Sequence, residues 1–365
     1  MKFSVSKEKL LAGLQTVQNV VSTRTTLPIL SNVLLQASDG QLRLTTTDLD
    51  VGVSGSVDAA VDKPGSTTLP ARRLANIVRE LPAAEVQVDV DSKNVASIRC
   101  GQSFFKINGL PEEEFPPLPK FADAKTFTFN QQQLGDALKK TSYAISTDET
   151  RYVLNGILFS FKENKLTMVA TDGRRLALVD IEGEFPRSQE ADIIIPTKCV
   201  TELSRLLGDS GEVKMSVGEN QVAFEIGATL LVSKLIEGNY PNYRQVIPGE
   251  ARERMTLERE LFLQAVHRVS LLSSEKSNSV KLVFSKNNLE IAANTPDIGE
   301  AHESIAVPYK GKEFSIAFNP EFLMAPLRNL TNDDEVFLDL IDEMSPGVIK
   351  IQSPFLYVLM PMRIS

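Results

Sequence analysis

Leu69-Pro70-Ala71-Arg72-Arg73-Leu74 reads as the end of a strand, a proline, and the first turn of a helix. The same punctuation returns at Ile195-Pro196-Thr197-Lys198-Cys199-Val200 and at Phe318-Asn319-Pro320-Glu321-Phe322-Leu323. Pro70, Pro196 and Pro320 lie 126 and 124 positions apart by subtraction. One domain of about 122 residues is therefore written three times, over 1–122, 123–248 and 249–365. Other landmarks keep the same phase. Leu27-Pro28-Ile29-Leu30-Ser31-Asn32-Val33-Leu34-Leu35, closing on Thr47-Asp48, is echoed by Tyr152-Val153-Leu154-Asn155-Gly156-Ile157-Leu158-Phe159, closing on Thr171-Asp172. The third copy, Val280 to Pro296, keeps the strands and loses the Thr-Asp.

Within a copy the apolar period switches between two and 3.6 in a fixed order. In the first, a strand at 2–6 leads into an amphipathic helix over about 7–21, then strands near 29–37, 41–47 and 51–57. The second half repeats this with a strand at 66–69, a helix at 71–81 and strands near 86–91, 94–100 and 103–108. Each domain thus reads as two β-α-β-β-β halves, an α+β arrangement with helices on one side of antiparallel sheets. Asp39-Gly40 and Asn287-Asn288 mark hairpin turns, since these residues tolerate positive φ. Linkers are expected at Pro116 to Asp123 and Pro248 to Glu253.

The net charge of −8 and pI near 5.1 argue against a simple basic nucleic-acid binder. The helices nevertheless collect twelve basic residues against seven acidic ones, about +5, so the remainder carries about −13. Either these are solvated helix surfaces, or basic helices in an acidic body form one surface able to meet phosphates. Cys100 and Cys199 lack metal or disulfide spacing, which fits a reducing cytoplasm. Lys2, Lys7, Glu8 and Lys9 with no long apolar run give neither a signal peptide nor a membrane span.

The chain resembles the bacterial DNA polymerase III β subunit, the β sliding clamp family. The strings that carry the likeness run end to end: Met1-Lys2-Phe3, Thr26-Leu27-Pro28-Ile29-Leu30-Ser31-Asn32, Arg151-Tyr152-Val153-Leu154-Asn155-Gly156, Ala170-Thr171-Asp172-Gly173-Arg174-Arg175-Leu176-Ala177, Tyr240-Pro241-Asn242-Tyr243-Arg244 and Tyr357-Val358-Leu359-Met360-Pro361-Met362-Arg363. The resemblance implies three tandem clamp domains that close, as a head-to-tail homodimer, into a six-domain ring around double-stranded DNA. It places Arg24, Arg72, Arg73, Arg151, Tyr152 and Lys198 toward DNA, where phosphate contacts would hold without reading sequence. It puts Phe105 and Ile107 of the edge strand 103–108 against Leu271 and Leu272 at the dimer interface, although Phe105 and Leu272 read equally well as core residues.

The resemblance further implies a groove for short linear motifs of the replicative polymerase, the clamp loader and repair proteins. Its residues would be Leu154, Thr171, Gly173, Arg174, Arg175, Leu176, Pro241, Val246, Val358, Met360, Pro361 and Met362. Methionines suit a surface that repacks around different ligands, though Met360 and Met362 could equally belong to a strand buried in its own core. Arg174, Gln245 and the extra Ser365 depart from the family's pattern.

Catalysis has little support. His267 and His302 lack a partner at triad or metal spacing, and there is no phosphate-binding loop or dinucleotide fingerprint. No cofactor is expected. The rival reading is a hydrolase using Asp48 and Asp172 as paired carboxylates, against the commoner use of Thr-Asp in turns. A purely protein-binding scaffold on the same fold is the third.

Overall fold

The computed structural model describes residues 1–21, 27–119, 121, 124–183, 185–186, 189–273, 278–296 and 298–363. Arg24, Ser365 and part of the first expected linker lie outside the described residues. Six α-helices stand among those described: α1 (Lys7–Val17), α2 (Ala71–Glu80), α3 (Gln131–Thr141), α4 (Thr197–Leu206), α5 (Arg259–Ser270) and α6 (Pro320–Asn329). Ser6 opens α1 by accepting a hydrogen bond from the Lys9 amide at 3.3 Å. The helix stops at Val17, short of the expected residue 21, because Thr46 Oγ1 donates to the Val17 carbonyl at 2.5 Å and a 3₁₀ turn, Gln18–Val20, follows. The recurring proline plays two parts. Pro70 and Pro196 end strands immediately before α2 and α4, whereas Pro320 is the first residue of α6, behind an Asn319 side chain that accepts from the Glu321 amide.

The chain forms two compact units, residues 1–135 with 198–235 and residues 136–197 with 236–365. The first holds a five-stranded sheet in the order Ala60–Lys63, Lys2–Ser6, Glu85–Val90, Val95–Cys100, Ser103–Asn108. It also holds an eight-stranded sheet in the order Lys125–Asn130, Glu212–Val217, Gln221–Ile226, Thr229–Lys234, Val51–Asp58, Gln41–Thr47, Asn32–Ser38, Gly65–Pro70. The second unit has an eight-stranded sheet ordered Ala191–Pro196, Gly156–Lys162, Lys165–Thr171, Arg175–Glu182, Phe355–Leu359, Gly347–Lys350, Glu335–Leu340, Glu253–Glu258. Its four-stranded sheet runs Gly299–Ala306, Asn288–Thr295, Val280–Ser285, Phe314–Phe318.

The middle copy is therefore shared between units. Its strand Thr229–Lys234 pairs antiparallel with Val51–Asp58 of the first copy, Leu231 opposite Val53, and its strand Arg175–Glu182 pairs with Phe355–Leu359 of the third, Leu176 opposite Val358. Each pairing fuses two four-stranded halves and removes two edges, which would otherwise expose rows of unpaired backbone groups. All four of those apolar side chains are fully or nearly fully buried, each worth roughly 1.5–3 kcal/mol relative to exposure.

The helices bury one stripe each. Leu10, Leu14 and Val17 of α1 and Leu74 and Val78 of α2 are buried where these helices meet, as are Phe262 and Val266 of α5 with Leu323 and Leu327 of α6. Within their observed bounds the six helices carry twelve Lys and Arg against six Asp and Glu, because Glu258 proves to be the residue that precedes α5. The helix excess is therefore +6, and the rest of the chain carries −14 of the total of −8.

Candidate functional site

The outer face of the second unit's eight-stranded sheet carries an apolar floor. Leu176 pairs across strands with Val358, Val358 with Val348, and Leu158 with both Val169 and Ile194. Alternation puts all of these on one face. They form one buried cluster, with Val153, Leu178, Ile236, Tyr240, Tyr243, Ile247 and Leu356 packed on it. The segment 236–247 makes one wall, pinned where the Ile236 amide donates to the Ile194 carbonyl at 2.9 Å. Pro241 and Val246 on this wall are exposed, and Pro241 also borders a side cleft of about 330 Å³ against Leu158 and Ile194.

The rim is a tight turn between Thr171 and Arg175. Asp172 Oδ1 accepts from the amides of Arg174 (2.9 Å) and Arg175 (3.1 Å), and Thr171 Oγ1 accepts from Gly173 (3.1 Å) while donating to the Arg175 carbonyl (2.6 Å). Gly173 sits at φ +86°, where a side chain is strained, and a Cβ there would stand 2.7 Å from the Arg151 guanidinium. Arg174 is exposed, and its carbonyl accepts from the Met360 amide at 3.0 Å, tying the C-terminal segment to this rim. Met360 is exposed, while Pro361 and Met362 are half-buried. The alternative that Met360 is core is thereby corrected: the strand Phe355–Leu359 ends one residue earlier.

Of the twelve residues expected around the groove, Leu176 and Val358 lie in the floor, Pro241 and Val246 on the wall segment, and Thr171, Gly173 and Arg174 in the rim turn to which Met360 is bonded, while Leu154 is buried just before the strand Gly156–Lys162, next in sequence to Val153 of the floor. Arg175 differs. Its guanidinium points to the sheet's other face, 3.1 Å from Asp172 Oδ2 and 4.5 Å over the Phe322 ring, beside the buried Tyr357. Burial pushes the Tyr357 and Tyr143 hydroxyls well above their ordinary titration range there. Arg175 therefore braces the turn from behind, and the rim turn's exposed cation is Arg174. The sequence reading missed Leu158, Ile194 and Val348 of the floor; alternation within strands was the available signal.

The expected DNA-facing residues lie on three elements, and in the first unit Arg72 and Arg73 line a pocket with Val21, the residue after the one that Lys198 bonds. Arg72 and Arg73 are exposed on the first turn of α2 and have no ion-pair partner among the described residues. Lys198 on α4 contacts the Asp48 carboxylate and donates to the Val20 carbonyl at 3.3 Å. Arg151 and Tyr152 are exposed in the 3₁₀ segment Glu149–Leu154, which bends at Arg151, where Asp148 approaches to 3.8 Å.

At the edges, Ser103–Asn108 is the outermost strand of its sheet, with Phe104 and Phe105 exposed and Ile107 buried in its own domain. Leu271 is 69% exposed, and Leu272 is half-buried beside Gly299. The other unit's four-stranded sheet ends on Gly299–Ala306, a strand bearing Glu300 and Glu303 that the sequence reading did not single out.

Asp48 and Asp172 are each consumed by their own turns. Asp48 Oδ1 accepts from Asp50 and Val51, as Asp172 does from Arg174 and Arg175, and each carboxylate also faces a cation. With both carboxylates engaged in this way, the paired-carboxylate hydrolase is not supported.

Comparison with known proteins agrees along the whole chain. Sequence profiles of the DNA polymerase III beta subunit match in order: the N-terminal domain over residues 1–119, the central domain over 128–242 and the C-terminal domain over 244–363. The beta sliding clamp of Chlamydia muridarum is 38% identical over 364 residues, covering 100% of this chain and 99% of its own. That of Escherichia coli K12 is 36% identical over 370 residues, covering 100% of both. The crystal structure of the Bartonella birtlesii sliding clamp bound to griselimycin superposes with TM-score 0.94 at 37% identity, and the Bacillus subtilis sliding clamp with 0.96 at 32%, each covering 100% of both chains. The chain belongs to the DNA polymerase III beta subunit family and is a beta sliding clamp.

Proposed function

We propose that two copies of this chain close head to tail into a ring around duplex DNA, without catalytic activity of its own, and that the ring tethers the replicative polymerase and other DNA-processing proteins in the cytoplasm. The observation that carries this reading is the end-to-end likeness to beta sliding clamps in all three domains. Edge chemistry supports the closure: the strand Ser103–Asn108 offers Phe104, Phe105 and Lys106, and Gly299–Ala306 with Leu271 offers an apolar and acidic counterpart on a second copy. Arg72, Arg73, Arg151, Tyr152 and Lys198, together with Arg24, are assigned to DNA. Such phosphate contacts exchange without sequence register, which sliding requires.

The groove over Leu176 and Val358 is assigned to short linear motifs of partners. Its apolar floor, exposed Pro241, Val246 and Met360, and adjustable methionines fit a surface that accepts several apolar anchors. Griselimycin, which the Bartonella clamp binds, is proposed to occupy the same groove here. Primer extension on a long single-stranded circle, with a bacterial replicative polymerase and clamp loader, tests the function. Long products only when the protein is present are expected; equal product lengths with and without it would contradict the proposal.

A further inference from the structure

Five of the eight methionines are buried: Met1 at 9% exposure, Met168, Met215 and Met324 at 0%, and Met255 at 1%. The remaining three flank the paired strands Gly347–Lys350 and Phe355–Leu359. Met344 is 73% exposed and Met360 46%, and Met362 is half-buried. Met344 belongs to the turn that enters the strand Gly347–Lys350, whose first residue pairs with Leu359, and Met360 follows Leu359 directly. Met362 is fixed two residues on, its amide donating to the Ala317 carbonyl at 2.7 Å. Backbone register thus sets the turn that carries Met344 beside the end of the strand from which Met360 and Met362 follow.

We propose that Met344, Met360 and Met362 are a reversible oxidation site through which peroxide-class oxidants regulate ligand binding; this rests on the groove assigned above. A thioether sulfur attacks one oxygen of hydrogen peroxide and the O–O bond breaks. Sulfur is oxidised by two electrons to the sulfoxide, the peroxide is reduced, and its second oxygen leaves as water. The product is a polar, chiral group where an apolar, deformable one stood, and reductase enzymes restore the thioether at the expense of a thiol. A sulfoxide oxygen covered by an apolar ligand loses its water without gaining a donor, so binding weakens. Met168, Met215, Met255 and Met324 are at most 1% exposed and Met1 9%, so oxidation should reach the three groove-side residues first.

The test treats the intact protein with graded hydrogen peroxide, maps sulfoxides by peptide mass spectrometry and measures griselimycin affinity by calorimetry. Oxidation of Met344 and Met360 first, Met362 next and the five buried methionines last is expected, with affinity falling about tenfold or more and recovering after methionine sulfoxide reductase. In the variant Met344→Leu, Met360→Leu, Met362→Leu, peroxide should leave griselimycin affinity unchanged from whatever value the untreated variant shows. Uniform oxidation of all eight methionines, unchanged affinity in the fully oxidised protein, or persistent peroxide sensitivity of the leucine variant would each overturn the proposal. Failure of untreated protein to bind griselimycin would count against the groove as its site, while the mass-spectrometric order still decides the selectivity of oxidation.

Discussion

Replacing Arg72 and Arg73 together with alanine should flatten the salt dependence of DNA binding by a calculable amount. Both side chains are exposed on the first turn of α2 and have no ion-pair partner among the described residues, so each is available to neutralise one phosphate. Each phosphate neutralised contributes about −0.9 to the slope of log affinity against log salt, so the pair contributes about −1.8. Raising salt fourfold, from about 50 to about 200 mM, should then weaken the unmodified protein roughly 12-fold more than the double variant. Lys198→Ala should behave differently, because the Lys198 ammonium already sits on the Asp48 carboxylate and less free charge is lost. The assay is fluorescence anisotropy of a short linear duplex across that salt range, with thermal unfolding as a check that α2 is intact. A slope unchanged by the double substitution would refute the assignment of α2 to the phosphate-facing surface, and an equal change from Lys198→Ala alone would refute the reasoning that its pairing with Asp48 reduces its contribution.

Other consequences concern closure and stability. Leu271→Glu puts a charge at a 69% exposed apolar position and should convert the proposed dimer to monomers by light scattering; an unshifted dimer mass would count against this interface. Asp339→Asn should destabilise the second unit by about 2 kcal/mol, since the carboxylate, 4% exposed, receives Arg254 at 2.6 and 2.8 Å and Lys350 at 2.9 Å. Burial raises the Asp339 carboxyl's proton affinity, but the bonds from Arg254 and Lys350 outweigh it and hold the group below its ordinary range. Its stabilisation is therefore present above about pH 4 and is lost as pH falls through the lower folded value, so denaturant titrations of the variant should show a smaller acid loss. Gly156→Ala should cost about 3 kcal/mol or prevent folding, because its Cβ would meet the Ile195 carbonyl, a backbone group held in the neighbouring strand; near-normal melting would refute that.

The repeat was legible because proline and turn chemistry act locally. Pro70, Pro196 and Pro320 mark the same junction, and Asp39, Gly40 and Asn287 adopt the positive φ that their residue types suggested, whereas Asn288 does not: the turn is Lys286-Asn287, and Asn288 already opens the strand Asn288–Thr295. Sheet membership was not legible. Nothing local in Thr229–Lys234 says that its partner is Val51–Asp58, nearly 180 residues earlier, since an apolar strand buried on both sides reads the same whichever neighbour covers it. The groove was partly legible through resemblance. Arg175 could not be separated from Arg174 by residue type, and only the strand's alternation sends one behind the sheet and leaves the other at the rim. Met344 carried a signal that was passed over: a large apolar residue inside Asp342-Glu343-Met344-Ser345-Pro346-Gly347, an otherwise polar turn.

The central claim is that the link between protein and DNA is topological. The decisive measurement loads the protein onto nicked circular DNA with a bacterial clamp loader and ATP, isolates the complex, and cuts the circle once. Prompt release from the linear molecule, with retention on the uncut circle, is the predicted result. Equal retention on both forms would show that direct contacts hold the protein and would contradict the ring.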